Sequence, residues 1–159
     1  MHTAGYTLSA AIFFSALIFS GCKDKERPGC KDLAATNFCS DCNEEANGLC
    51  QYTGNVVFWY QYGVADSLQT LGVTSLSYYI SGQLAGTSPL YHMFWMPDPW
   101  FGIEGPYCGE DSAVTFSRNW ETQRNPSFNY SIKDQNGSER FSGNVTFNAG
   151  QCVKVQIEF

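Results

Sequence analysis

Few residues in this chain have the types and spacing that catalysis requires. His92 is the single histidine after residue 2, and no nucleophile motif lies beside it. Hydrolysis of a glycoside needs only two carboxylates, and the candidates for that role are Asp98, Glu104, Glu110 and Asp111. Any acidic loop offers as much, and the chain has no phosphate-binding loop, dinucleotide fingerprint or histidine-rich metal motif. We therefore predict a protein that is not an enzyme and holds no cofactor.

The most unusual stretch of the chain is aromatic. Residues 91–107 read Y-H-M-F-W-M-P-D-P-W-F-G-I-E-G-P-Y, and the prolines at 97 and 99 argue against a central strand. Aromatic rings exposed on a rigid scaffold can stack on sugar rings or dock into a partner. The candidate ligand-binding residues are Phe94, Trp95, Trp100, Phe101 and Tyr107. The alternative is that these rings fold back and cap an open end of their own domain.

An apolar leader precedes the rest of the chain. Leu8–Phe19 is uncharged, with the length of a signal-peptide core and too short for a comfortable membrane span. The following Phe19-Ser20-Gly21-Cys22 resembles a lipobox, in which a cysteine is acylated before cleavage, although Phe19 replaces the usual Leu. The resemblance implies a signal peptide over 1–21, a lipid on Cys22 that anchors firmly, and a tether over 22–28. An ordinary secretory leader with a chance cysteine is the alternative.

The charged residues after Cys22 predict where the protein resides. Lys23-Asp24-Lys25-Glu26 resembles the stretch that directs lipoproteins of Bacteroidetes-type bacteria to the cell surface. We therefore expect a location in the cell envelope, lipid-anchored in the outer membrane and facing outward.

The chain has seven cysteines, and assigning Cys22 to lipid leaves six in a compartment that permits disulfides. Four lie within Cys30–Cys50, whereas Cys108 and Cys152 stand far from them. This spacing predicts a Cys108–Cys152 bridge and two bridges within the cluster, whose internal pairing stays open. A zinc site of four cysteines is a chemical alternative for the cluster. A thioredoxin-like redox pair would need a βαβ context that the sequence lacks.

The cluster also carries a family resemblance. Gly29-Cys30-Lys31-Asp32 through Asn37-Phe38, followed by Asn47-Gly48-Leu49-Cys50-Gln51-Tyr52, resembles a short module of envelope and surface proteins in Bacteroidetes-type bacteria. The resemblance implies that Cys30 pairs with Cys50. Cys39 and Cys42 stand where that module usually has Asn and Ala, and we therefore pair them with each other.

The same segment is rich in side-chain oxygen atoms, the ligands that calcium prefers. However, Asp41-x-Asn43-x-Glu45 is followed by Ala46, where a calcium loop of the EF-hand type needs glycine. We predict solvated turn residues and no metal. The residues concerned are Asp32, Asn37, Asp41, Asn43, Glu44, Glu45 and Asn47.

From residue 54 onward the pattern alternates as strands do. Val56, Phe58 and Tyr60 share one face, with Val57 and Trp59 on the other. Ser81-Gly82 and Asn136-Gly137 are hairpin signals. The spacing predicts about seven strands and no helix, hence an all-β, antiparallel, two-sheet sandwich of immunoglobulin-like type. The predicted layout is a disulfide-rich module over 29–53 and a β-sandwich domain over 54–159.

This domain resembles small β domains of the same lipoproteins. Gly54-Asn55-Val56-Val57-Phe58-Trp59, Pro106-Tyr107-Cys108-Gly109 and Gly150-Gln151-Cys152 match their G-x-V-x-F-W, P-x-C-G and G-x-C motifs. The resemblance implies a fold and a compartment but no reaction.

Composition narrows the range of partners. The formal charge is −6 without a basic stripe, so phosphate backbones repel the chain and we exclude nucleic acid. The membrane remains as a partner through the lipid anchor. We expect a non-catalytic binding module that takes a glycan or an envelope protein through residues 91–107. The alternative is a structural or accessory envelope lipoprotein with no small ligand.

Overall fold

The computed structural model describes residues 25–92, 105–111 and 113–159. Nine strands, one α-helix and two 3-10 turns make up this part of the chain. The strands are β1 (Pro28–Gly29), β2 (Glu44–Glu45), β3 (Gln51–Tyr60), β4 (Ser75–Ile80), β5 (Gln83–Pro89), β6 (Val114–Glu121), β7 (Ser127–Asp134), β8 (Glu139–Thr146) and β9 (Cys152–Ile157). The helix α1 is Tyr62–Thr70, and the 3-10 turns are Asn47–Leu49 and Leu90–His92.

The seven longer strands form two packed sheets. One sheet has the order β6-β3-β9 and the other has the order β5-β4-β7-β8. The predicted all-β sandwich of about seven strands is therefore confirmed. Strand pairing is antiparallel except between β3 and β9, which are parallel. The short strands β1 and β2 form a separate parallel pair in the N-terminal module.

Strand β3 lies at the centre of the structure because both of its faces are covered. Val56, Phe58 and Tyr60 point into the space between the sheets and are fully buried. They pack against alternate apolar residues of the opposite sheet, among them Tyr78, whose ring centroid lies 5.4 Å from that of Phe58. The burial of such side chains stabilises the fold by about 1.5–3 kcal/mol each.

The helix was not predicted from the sequence. Its nine residues hold few apolar positions, and only Ala65 and Leu68 are buried. These two side chains join the core cluster at the end of the sandwich where β3 finishes. The helix therefore depends on packing rather than on its own propensity. Within the described residues, neither α1 nor the short turns have the length and apolar character that a bilayer span needs.

The module is joined to the domain by covalent and packing contacts. Cys50 immediately precedes β3, which begins three residues before the predicted start of the domain, and Cys50 is bridged to Cys30. A second small core forms around this bridge and includes Tyr52. Trp120 packs against both this cluster and the main core. The module is thus fixed to the start of β3.

Candidate functional site

The three disulfides of the described chain have the pairing expected above. They are Cys30–Cys50, Cys39–Cys42 and Cys108–Cys152. The four cysteines of the module are therefore oxidised, so they do not form the alternative zinc site, which needs free thiolates. In residues 25–92, 105–111 and 113–159, no group of three acidic, histidine or cysteine side chains is placed to hold a metal ion.

Two of the oxygen-rich residues of the module, Asp32 and Asn37, bond to nearby backbone groups and to Tyr52. The Asp32 carboxylate accepts hydrogen bonds from the Ala34 N–H at 2.9 Å and from the Tyr52 hydroxyl at 3.1 Å. The Ala34 N–H has the largest effect on the pKa of Asp32 and lowers it, and Tyr52 and Arg124 also lower it. The Asn37 side chain donates from Nδ2 to the Leu49 carbonyl at 2.7 Å, and its Oδ1 accepts from the Gln51 N–H at 2.9 Å. The side-chain oxygen atoms of Asp32 and Asn37 therefore have partners within the chain.

Most of the predicted aromatic site lies outside the described residues. Phe94, Trp95, Trp100 and Phe101 fall there, as do Asp98, Glu104 and the lipidation residue Cys22. The side chain of His92 is also not described. The structure does describe the two limbs that hold the aromatic segment: Tyr91 at its start, and Gly105–Tyr107 at its end.

The leading limb is held by α1. The Tyr91 hydroxyl lies 2.5 Å from Oε1 of Gln69 and 3.3 Å from Oδ1 of Asp66. The Tyr91 ring lies 6.2 Å from that of Tyr62, and both rings are exposed. Packing against α1 raises the pKa of Tyr91, and the Asp66 carboxylate raises it further. Tyr62 and Tyr91 therefore form an aromatic pair at the helical end of the sandwich.

The return limb crosses the outer face of the sheet β6-β3-β9. Gly105 lies directly on the Trp59 indole, and Pro106 is fully buried. Lys154 of β9 donates a hydrogen bond to the Gly105 carbonyl at 3.1 Å. This cover explains why Trp59 is buried although it points away from the main core.

Two further contacts fasten the same limb to the strands on either side of β3. The Cys108–Cys152 disulfide joins it to β9. The Gly109 N–H donates to Oγ1 of Thr115 in β6 at 2.8 Å. The disulfide therefore lies on the outer face and holds the limb.

Among the predicted ligand-binding residues, Tyr107 lies in the part of the chain that the structure describes. Its side chain is 65% exposed, although the residues on either side of it are fixed. The Lys154 ammonium lies 4.4 Å from the Tyr107 ring centroid, within the range of a cation–π interaction. The Tyr107 N–H donates to Oε1 of Glu110, so this candidate acidic residue shapes the turn. A rigid backbone thus presents an aromatic ring to solvent.

A separate cleft lies where the module meets the sheet, and sequence reasoning missed it. Its volume is about 710 Å³. Gln51 and Thr53 of β3 pair with Glu121 and Asn119 of β6, and these four polar side chains alternate with the buried Tyr52 and the partly buried Trp120. The only feature of the sequence that indicates this cleft is the placement of polar residues at alternate positions on β3 and β6. The lining residues are Thr36, Gln51, Tyr52, Thr53, Asn119, Trp120 and Glu121.

Comparison with known proteins gives this chain no relative: no family model, curated protein or solved structure matches it.

Proposed function

We propose that this protein is a non-catalytic lipoprotein of the cell envelope whose β-sandwich binds a ligand through the aromatic segment 91–107. The observation that carries the proposal is the fixation of both limbs of this segment on the sandwich. Tyr91 is held by α1, and the return limb is held by β6, β9 and a disulfide. A binding loop gains affinity when its ends are already ordered, because less conformational entropy is lost on association.

The chemistry of the segment favours a saccharide as ligand. Exposed tyrosines at both limbs and four further aromatic residues between them supply flat apolar surfaces. Aromatic rings with polar tips suit ligands that are apolar on one face and hydroxylated at the rim. The formal charge of −6 disfavours polyanionic ligands, which leaves neutral glycans as the best match.

The anchor at Cys22 is the second part of the proposal. It rests on the apolar leader, the lipobox-like sequence and the oxidised cysteines that follow. Disulfides persist in compartments outside the reducing cytosol. Outer-membrane, outward-facing placement rests on the charged residues 23–26.

A glycan array with the soluble chain 23–159 tests the binding role. We expect binding to neutral glycans that Tyr107→Ala weakens at least tenfold. Tyr79→Ala is the matched control, because Tyr79 also lies beneath a lysine ammonium, that of Lys133 at 5.3 Å, but on the opposite sheet. Equal loss in both variants, or no glycan binding by the wild type, would contradict the proposal. Binding to an envelope protein instead would replace the saccharide with a protein ligand.

A further inference from the structure

The N-terminal module and Tyr91, the described start of the aromatic segment, lie at opposite ends of the sandwich. Cys50 of the module immediately precedes β3, and the aromatic limbs meet the structure at Trp59 and just beyond Tyr60. A strand advances about 3.3 Å per residue, so the ten residues of β3 separate these ends by roughly 30 Å.

The first described residues bond to the segment of the module that contains β2. The Arg27 N–H donates to Oδ1 of Asn43 at 2.7 Å, and the Arg27 carbonyl accepts from the backbone N–H groups of Asn43 and Glu44. The contacts from the module to the domain come from other residues, notably Asp32 and Thr36, which bond to Tyr52 and Gln51. The first described residues therefore contact the segment that contains β2, whereas later residues of the module contact β3.

Cys22 lies three residues before Lys25, and three residues of extended chain reach at most about 10 Å. We infer that the disulfide module is the base on which the protein stands against the bilayer, so that Tyr91 and the helical end of the sandwich that holds it face away from the membrane. This inference rests on the anchor at Cys22 in the proposed function.

The surface chemistry of the module fits contact with a lipid interface. Leu33 is 82% exposed, Leu49 is 54% exposed and Phe38 is 41% exposed. Water disfavours such side chains, whereas the boundary between headgroups and acyl chains accommodates them.

The rigid attachment of the module makes the orientation persistent. The Cys30–Cys50 bridge, the Asp32–Tyr52 hydrogen bond and the packing of Trp120 against both cores join module and domain as one unit. A flexible tether of several residues would let the domain lie on its side. The tether predicted over 22–28 is effectively shorter, because Asn43 bonds to the backbone of Lys25 and Arg27 and so holds these residues on the module.

Energy transfer from two matched labels to a membrane-surface acceptor tests the orientation. A fluorescent amino acid is encoded either at Glu44 in the base or at Asn136 in the β7–β8 turn, both exposed. The folded chain 22–159 is coupled through the Cys22 thiol to maleimide lipid in phosphatidylcholine vesicles containing the acceptor. The coupling makes the result independent of acylation in cells, which is measured separately by detergent partitioning of the native protein.

We expect transfer from Glu44 to exceed transfer from Asn136 several-fold, and no transfer from either label in chain 23–159, which lacks the thiol. Equal transfer from the two labels, or stronger transfer from Asn136, would overturn the inference. The native protein could fail to partition into detergent while the coupled protein still shows stronger transfer from Glu44 than from Asn136. That result would remove the anchor from the proposed function but would support the orientation of the module.

Discussion

Gly105 is the residue at which the return limb packs on Trp59 of the sheet. Its replacement by alanine tests how much this contact contributes to stability. A Cβ atom built on Gly105 would lie 2.6 Å from Cε2 of Trp59 and 2.7 Å from its Nε1. The backbone φ of Gly105 is +68°, a conformation that favours glycine. Gly109 has a similar positive φ of +89°, but its added Cβ would meet nothing within 4 Å.

The two glycines therefore separate the backbone cost from the steric cost. Placing alanine in the left-handed conformation costs about 1–2 kcal/mol at either position. Overpacking against the buried indole adds about 1–3 kcal/mol at Gly105 alone. With about 4 °C of melting temperature per kcal/mol for a domain of this size, Gly105→Ala should melt roughly 4–12 °C below Gly109→Ala.

Thermal unfolding of the soluble chain 23–159 is the assay, followed by circular dichroism at a fixed heating rate. A double-mutant cycle sharpens it: in a Trp59→Leu background, the extra cost of Gly105→Ala should shrink because the ring that it meets is gone. Equal melting temperatures for Gly105→Ala and Gly109→Ala would refute the seating of the return limb on Trp59.

Three further predictions concern the stability of the sandwich. Paired Cys108→Ser and Cys152→Ser substitutions should cost about 4 kcal/mol in denaturant unfolding, because the bridge closes a loop of 44 residues; no change would show that the limb is held without it. Burial alone would raise the pKa of Asp134, but the Arg140 guanidinium and two backbone N–H groups of its turn lower it overall. The ionised Asp134 carboxylate should therefore stabilise the fold above pH 4, and this stabilisation should be lost as the pH falls through the lowered pKa. Asp134→Asn should reduce this acid dependence, measured as the melting temperature at a series of pH values. Burial raises the pKa of Tyr60 to about 12, so the fold should lose stability from about pH 10 upward, and Tyr60→Phe should weaken that alkaline loss.

The parts of the fold that were predicted are those with a local signal. Alternation along β3 predicted which residues face the core, and the Asn136-Gly137 turn joins β7 to β8 with Gly137 at φ +80°. Ser81-Gly82 joins β4 to β5 in the same way. An even number of cysteines in two separated groups was sufficient to partition the disulfides.

The parts that were missed depend on contacts between distant residues. The parallel pairing of β3 with β9 joins Asn55 to Cys152, and no local pattern encodes such a contact. Helix α1 is short, and its two buried residues gain stability only from the end of the sandwich. The cleft beside Thr36 forms where the module meets the sheet, so it exists only after both have folded.

The most direct test of the central claim is a joint measurement of stability and glycan binding for Trp95→Ala and Trp100→Ala in chain 23–159. If these rings serve a ligand, each variant should melt within a few degrees of the wild type and lose binding on the array. If they instead form part of the core of their own domain, each substitution should cost about 3–5 kcal/mol, as truncation of a buried tryptophan does. A large loss of stability in both variants would contradict the binding role of the aromatic segment.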